Sequence, residues 1–422
     1  MKRTTKAAIS ALAAAAGTTA FGAGFGLYEM SAAAMINGGN WMGRAPDASA
    51  VYYNPATQSG LTGTWVTAGL TLLHPPLDTR VNGVGTGKMN PGWFYDPHFF
   101  VTHQLTDDLN LGLGGYADFG LGSKYHNNWP LAWNSIQTDI ATYTASPTLS
   151  WRITDRWSLA GGVRFSHMTF EQKRILRFSE LLAGAHPFAG MMGDTHIHYT
   201  ARNDVDVGYL LGTAYEVTDD FSVGAVWRSR ERLRMKGHCS ASDHGTVPAG
   251  AGAAAYDGSF NEKVDLPMSA AVGFNWDNAL WVKDLHLGWS CTWTEWSTID
   301  TIQFGAGGMD LGWHNAYRTG FGFTYDFTEK FTGGVGYVYD WDPTRERRPQ
   351  TMLPAGDRHN IYYGLTWHIS PHWDFTIAGA MVLMESKTAW YDNPATGAPD
   401  QYKFQTRNSH TYLASATITC HF

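Results

Sequence analysis

The final run of the chain alternates almost without fault. Counted back from the end, Phe422, Cys420, Ile418, Ala416, Ala414 and Tyr412 share one face of an extended chain. His421, Thr419, Thr417, Ser415 and Thr411 share the other, with Leu413 as the exception. Successive strand residues point to opposite faces, so this strand is apolar on one side and polar on the other. Similar runs recur from Thr64 onward. Between Ser123 and Phe170, two aromatic-rich runs are split by the polar turn Thr154-Asp155-Arg156. Neither is apolar enough for a membrane helix, and neither has the unbroken apolar stripe of a soluble core strand. After the N-terminus no stretch approaches the ~18–20 apolar residues that a spanning helix needs. Strands with lipid on one face and an aqueous or ligand-lined lumen on the other fit the pattern. A soluble β-sandwich would alternate in the same way.

The connections distinguish the two. Asp107-Asp108, Thr154-Asp155, Thr218-Asp219-Asp220, Thr328-Glu329-Lys330 and Ser370-Pro371-His372 read as tight turns between strand-like runs. The alternate connections are long: 81–91, 120–137, 178–195, 237–259, 343–356 and 387–402. Short turns at one end and long loops at the other mark a bacterial outer-membrane barrel, with the turns on the periplasmic side. The runs from Thr64 to Phe422 number about fourteen, an even count as single-chain barrels require. Closure is obligatory, because an edge strand in lipid would leave its backbone N–H and C=O groups unsatisfied. Composition agrees. Only 16% of the 422 residues are charged, against roughly 25% in soluble domains. Aromatics reach 14% and there are 47 glycines, yet mean hydropathy is only -0.26. The net charge of -7 points to no nucleic-acid partner. The three cysteines, Cys239, Cys291 and Cys420, form no CxxC and read as incidental, although a bridge to Cys239 is open.

The N-terminus reads as an export signal. Lys2, Arg3 and Lys6 precede an apolar Ala7–Ala16, and Ala20-Phe21-Gly22 offers small residues at the two positions a signal peptidase reads. The competing reading is an N-terminal anchor. Residues 1–22 are therefore expected to be a signal peptide, 23–62 a plug and 63–422 the barrel. The 23–62 segment does not alternate. It is rich in Ala, Gly and Tyr, is weakly helical around Met30–Met35, and carries too little charge for a solvated tail. The terminal Phe422 is similar to the signal read by the outer-membrane assembly machinery.

A series of ordered motifs resembles the FadL family of outer-membrane channels. They are Ala23-Gly24-Phe25, Leu27-Tyr28-Glu29, Gly43-Arg44-Ala45, Tyr53-Asn54-Pro55-Ala56, Phe119 to Tyr125, Val264-Asp265-Leu266-Pro267, Trp293 to Ser297, Asn315-Ala316-Tyr317-Arg318 and Leu353 to His359. The resemblance spans nearly the whole chain after the signal. It implies an all-β fold: a transmembrane antiparallel barrel of about fourteen strands, plugged by a short, partly helical N-terminal hatch. It implies passive uptake of long-chain fatty acids or similar hydrophobic molecules, with no cofactor and no catalysis. Ligand would enter an extracellular apolar groove, pass to an internal pocket and leave sideways through a gap at a kink in the third strand. On that pattern Phe25, Asn54 and Pro55 belong to the hatch, and Gly115, Asp118 and Gly120 surround the kink.

The residues offer matching chemistry. Phe178, Leu181, Leu182, Phe188 and Met191 supply an apolar groove in a loop expected outside, although the same side chains would also pack the loop onto itself. Flexible methionine suits chains of varied shape. Burying an unpaired carboxylate is costly, so a fatty acid needs a basic partner. The resemblance points to Arg177, at the end of the fifth strand. The family's lysine before the Asn315–Arg318 motif is missing here, and His314 is the nearest basic residue. That departure keeps a neutral aromatic hydrocarbon open as the alternative ligand. Arg228, Arg230, Arg232, Arg234 and Lys236 alternate, so a strand puts all five cations on one face, and with Trp227 toward lipid that face is expected to be the lumen. They would pair with neighbouring carboxylates, steer acidic ligands, or meet lipopolysaccharide phosphates at the outer end. His196 and His198 share a face, where a lumenal pair is expected ahead of a metal site. Neither a GxSxG nor an HExxH motif points to a lipid-acting enzyme, and an open porin would lack the plug.

Overall fold

The computed structural model describes residues 24–81, 85–89, 92–304, 307–345, 351, 356–407 and 409–422. The expected signal peptide, parts of the long loops and Leu353–Ala355 lie outside the described residues. Among the described residues fourteen antiparallel strands form one closed wall. In order they are β1 (Thr64–His74), β2 (Phe94–Thr106), β3 in two pieces (Leu109–Tyr116 and Gly120–Lys124), β4 (Gln137–Thr154) and β5 (Trp157–Arg177). Three interrupted strands follow: β6 (Asp194–Arg202, Asp206–Glu216), β7 (Phe221–Arg228, Glu231–His244) and β8 (Gly258–Leu266, Ser269–Trp276). The wall continues through β9 (Leu285–Thr294), β10 (Ala316–Thr328), β11 (Phe331–Asp340), β12 (Arg358–Ser370), β13 (Trp373–Met384) and β14 (Ser409–His421). β14 pairs with β1, Thr419 opposite Thr67 and Ser415 opposite Thr71, and so removes both edges. No helix among the described residues is long and apolar enough to cross a membrane.

Alternation sets which solvent each side chain meets. On β14, Tyr412 and Ile418 are exposed on the outer wall, while Thr411, Ser415, Thr417 and Thr419 are buried inward. Trp151, Trp157, Phe331, Trp367 and Trp373 stand outward beside the short turns, forming the interfacial girdle expected of such a barrel. A concavity of about 960 Å³ also opens on the outer wall, among Leu70, Phe323, Val335, Tyr363 and Ile377. It faces hydrocarbon, not the lumen.

Several strands outrun the membrane. β5 has 21 residues, about twice the 9–11 that suffice to span a bilayer. The upper parts of β4–β8 therefore project on the long-loop side. The loops there are more ordered than their composition suggests. Leu77–Val81, Gly85–Met89, Thr388–Tyr391 and Tyr402–Arg407 form a four-stranded sheet of their own. Beneath it Tyr125, Trp129, Leu131, Tyr391 and Phe404 make a separate core.

The lumen is filled by Gly24–Gly63. Helices Ala32–Met35 and Ala50–Tyr53 and the 3₁₀ turn Pro55–Gly60 are buried on nearly every side. Leu27, Met30, Met35, Val51, Tyr52 and Tyr53 pack against wall residues Leu73, Phe100, Val338, Tyr362 and Leu413. Leu413, the break in the alternation of β14, is thus explained: this inward position meets an apolar plug, not water. Each fully buried side chain of this size contributes roughly 1.5–3 kcal/mol. Where the plug passes closest, the wall carries glycine. A Cβ on Gly224 would strike the Met42 carbonyl, and one on Gly322 the Asn37 backbone.

The break in β7 corrects one expectation. Below it, Ser222, Val226 and Arg228 face the lumen; above it, Glu231, Leu233, Met235 and Cys239 do. One extra residue at Ser229-Arg230 reverses the faces. Arg232, Arg234 and Lys236 consequently point outward, and the five cations do not share the lumen. His196 and His198 also lie on the outer face of β6, not in the lumen, while Ile197 and Tyr199 turn inward.

Candidate functional site

The third strand is broken where glycine density and Asp118 suggest a kink. β3 pairs with β4 through Tyr116 opposite Thr144 and resumes at Gly120 opposite Ala141, so four residue steps on β3 face three on β4. The pairing of β2 with β3 ends at Phe99 opposite Gly115. Phe94–His98 remains paired with β1 but has no strand partner on its other side among the described residues. The wall therefore has an interruption between the upper halves of β2 and β3. Phe94 fills it from within, its ring lying where a Cβ on Gly122 would be.

Such a gap would strand backbone groups in a nonaqueous wall. The plug supplies their partners. Gly120 N–H donates to the Phe25 carbonyl at 2.8 Å, and Leu27 N–H donates to the Asp118 carbonyl at 2.9 Å. Gly26 bridges Phe119 in antiparallel fashion. Phe119 N–H donates to Thr142 Oγ1 at 3.0 Å. The start of the plug thus pairs with the broken part of β3. The Asp118 carboxylate takes Thr144 Oγ1 at 3.0 Å and Arg164, whose guanidinium also meets Glu231 at 2.8 Å. All three charges are buried, so the kink is anchored by a desolvated ionic cluster. Removing one member would leave an unpaired charge.

Beside the kink lies a packed apolar cluster, the candidate ligand chamber. Phe25 is its stopper, with ring centres 5.7 Å from Phe119, 5.0 Å from Trp296 and 6.0 Å from Trp313. Ile140, Met168, Phe170, Leu176, Ile197 and Leu233 continue the lining. The indole N–H groups of Trp296 and Trp313 are buried with no acceptor among the described residues. A cation also reaches this lining. Arg174, an inward position on β5, donates to the Tyr199 hydroxyl at 2.5 Å and lies 5.1 Å and 5.6 Å from the Tyr199 and Tyr256 ring centres. It has no carboxylate partner among the described residues.

The expected site residues divide between this chamber and the surface. Phe178 and Leu181 are buried in the chamber lining, and Leu182 packs against it. Phe188 and Met191 are exposed, 63% and 80%, on the rim outside. Arg177 lies on the outer face of β5. Its guanidinium reaches the Trp129 carbonyl at 3.4 Å and Glu180 at 3.6 Å, away from the chamber. His314 is exposed, and its backbone N–H donates to the Pro343 carbonyl at 2.9 Å. Its neighbour Trp313 is the residue that enters the chamber. Counting alternation upward from lipid-facing Phe165 identifies Arg174 as inward and Arg177 as outward, a signal present in the sequence.

The plug is held by the motifs that looked disconnected along the chain. Asn54 Nδ2 donates to the carbonyls of Met42 at 2.7 Å and Thr213 at 2.9 Å, and its Oδ1 accepts from Ala56 N–H at 3.2 Å. Pro55 opens the 3₁₀ turn that follows. Arg44 pairs with Asp277 at 2.5 Å. The Tyr362 hydroxyl donates to Glu29 at 2.7 Å and accepts from Arg318 at 3.2 Å, and Arg318 covers the Tyr28 ring at 4.5 Å. Arg228 donates to the Tyr52 carbonyl. His198 Nε2 donates to the Glu171 carboxylate at 2.9 Å. Among the described residues no cluster of His, Cys, Asp or Glu is placed to hold a metal, and the three cysteines are free thiols.

The family model for outer membrane protein transport proteins (OMPP1/FadL/TodX) matches residues 13–422. The long-chain fatty acid transport protein of Salmonella typhi is 24% identical over 396 residues, which cover 86% of this chain and 88% of that one. The protein of the same description from Escherichia coli K12 is 23% identical over 406 residues, with the same two coverages. Among solved structures, a Pseudomonas aeruginosa FadL homologue shares the fold at a TM-score of 0.83 and 19% identity, covering 95% of this chain and all (100%) of that one. The P. putida toluene transporter TodX does so at 0.70 and 17%, covering 93% and 98%.

Proposed function

Because this chain belongs to the outer membrane transport protein family OMPP1/FadL/TodX, we propose that it carries long-chain fatty acids passively across the outer membrane, through the Phe25 chamber and out sideways between β2 and β3. The family is one of transporters, not enzymes, and the chain is an outer-membrane barrel. The observation that carries the route is the double role of Phe25–Leu27. The same three residues plug the chamber with a ring and hold the kink of β3 with backbone hydrogen bonds. Withdrawing them empties the pocket and opens its side in one movement. The apolar rim at Phe188 and Met191 offers first contact. The apolar lining takes the chain, and Arg174, without a carboxylate of its own, takes the acid. Exit into the outer leaflet needs no energy source, because the tail passes from one apolar environment to another.

A second reading rests on the four-ring cage of Phe25, Phe119, Trp296 and Trp313. Its π faces suit a neutral monoaromatic compound, and a toluene transporter shares the fold. Titration of the folded protein with palmitate, methyl palmitate and toluene separates the two. Tight palmitate binding, weakened in the ester and by Arg174→Ala but not by Arg177→Ala, is the expected result. Equal binding of acid and ester, unchanged in Arg174→Ala, overturns the carboxylate reading in favour of neutral compounds.

A further inference from the structure

The reversal of faces at Ser229-Arg230 places a set of cations where the lumen cannot use them. Above the break, Arg232, Arg234 and Lys236 project from the outer wall, joined by Arg202 of β6 and Lys263 of β8. Pairing sets Lys236 directly opposite Arg202, and Arg234 directly opposite Lys263. Like charges facing each other across a ladder destabilise it. Three carboxylates relieve part of this: Asp265 holds Arg232 at 3.1 Å, Asp206 holds Arg234 at 3.2 Å and Asp204 holds Lys236 at 2.5 Å. Arg202 and Lys263 make no ion pair among the described residues, although Asp204, held by Lys236, also feels the Arg202 charge. The neighbouring acids do not supply one. Glu171 is taken by Lys173 and His198, at 2.8 Å and 2.9 Å, and Asp139 by the Gln137 amide at 2.6 Å. Five cations thus face three acids.

Height gives the partner. Directly below the cations, Val205, Val207, Tyr209 and Trp227 are exposed on the same outer face, at the top of the lipid-facing belt. Any molecule that reaches both has acyl chains below and anionic groups above. Between Arg202, Lys236 and His238 the face is concave, with about 770 Å³ lined also by Thr200, Ser259 and Asn261 and, at its edges, by the already engaged acids Asp139, Glu171 and Asp204. That hydrogen-bonding floor suits sugar hydroxyls. We propose that this outward face of β6–β8 docks the phosphorylated headgroup of an outer-leaflet glycolipid, the lipid A part of lipopolysaccharide, with Arg202 and Lys263 as its phosphate partners. The site faces away from the chamber and is independent of what passes through the lumen.

The test is binding of bisphosphoryl lipid A to the full-length folded barrel, counted by native mass spectrometry. The variant is Arg202→Ser with Lys263→Ser; neither side chain holds a carboxylate, so no partner is orphaned. Folding is checked by the heat-dependent gel mobility of the barrel. The expected result is about thirtyfold weaker binding, from two lost cations at an anionic lipid surface. Lys283→Ser, at the opposite end and 88% exposed, controls for net charge and leaves binding unchanged. Should the double variant not fold, the wild-type protein still decides: its affinity must fall as salt rises from about 0.05 to about 0.5 M. Binding within twofold of wild type in the double variant overturns the proposal. So do equal weakening by Lys283→Ser, salt-independent wild-type binding, and displacement of the lipid by millimolar inorganic phosphate, which would mark a free-anion site.

Discussion

Replacing Phe25 by alanine should release the stopper while leaving its backbone in place. The ring is 97% buried, since only 3% of Phe25 is exposed, and it touches three aromatic neighbours. Truncating a buried phenylalanine costs about 3–5 kcal/mol. That loss falls on the closed state, where the ring is packed, and little of it on an open state in which Phe25 has left the chamber. The two backbone bonds at Gly120 and Leu27 survive the substitution, each worth about 1 kcal/mol net, so the gate still closes. A net shift of about 3 kcal/mol moves the opening equilibrium by roughly a hundredfold. Uptake of a labelled fatty acid at limiting concentration should rise until entry at the rim becomes the slow step. Ligand binding should also tighten, read from quenching of Trp296 and Trp313. Phe25→Leu should fall between. Uptake and affinity both unchanged in Phe25→Ala would refute the stopper.

The remaining predictions concern the plug and the cap. Asn54→Ala removes hydrogen bonds to Met42, Thr213 and Ala56 and should loosen the plug by about 1–3 kcal/mol, read as faster proteolysis of residues 24–63 in the folded barrel; unchanged proteolysis would show that Asn54 is not a clamp. Gly224→Ala drives a methyl into the Met42 carbonyl; the barrel should assemble but leak small solutes in planar bilayers, and a tight barrel would mean that the plug can shift. In the loop cap, burial pushes the phenols of Tyr125 and Tyr391 above their ordinary value. A raised folded-state value favours the neutral form, so the cap keeps its stability below the usual tyrosine value of about 10 and loses it as pH rises past that value. Alkaline titration followed by tyrosinate absorbance should show these two ionising late and together with loss of cap structure; independent, ordinary titration of both would contradict their burial.

Much of the wall was legible because period-two alternation and turn chemistry are local. The tight turns at Asp107-Asp108 and Thr154-Asp155 and the helix at Ala32–Met35 follow from residues close in sequence, whereas the closure of β14 on β1 follows from the need to leave no edge in lipid. Alternation fails where a single residue is inserted. Ser229-Arg230 carries no glycine or proline to announce a break, and every side chain from Arg232 to Lys236 then changes sides. In β8 the corresponding break is announced, by Pro267, which has no N–H to give the ladder. The extracellular sheet escaped notice because its strands come from residues 77–89 and 388–407, a pairing no local pattern encodes. The ligand-site reading shows the same limit. A likeness in motif pointed to Arg177, whereas strict counting along β5 places Arg174 inward. The latch of Glu29, Tyr362 and Arg318 joins residues more than 300 positions apart, and only the closed barrel brings them together.

Exit through the wall is the central claim, and closing the gap tests it most directly. Cysteines would be introduced as Phe94→Cys and Gly122→Cys, which face each other across the opening, in a background lacking Cys239, Cys291 and Cys420. A short bis-thiol crosslinker would then join β2 to the upper piece of β3. The account predicts that crosslinking abolishes fatty acid uptake while binding in the chamber persists, and that a cleavable linker restores uptake on reduction. Uptake continuing at the uncrosslinked rate would contradict it and send the ligand past the plug instead.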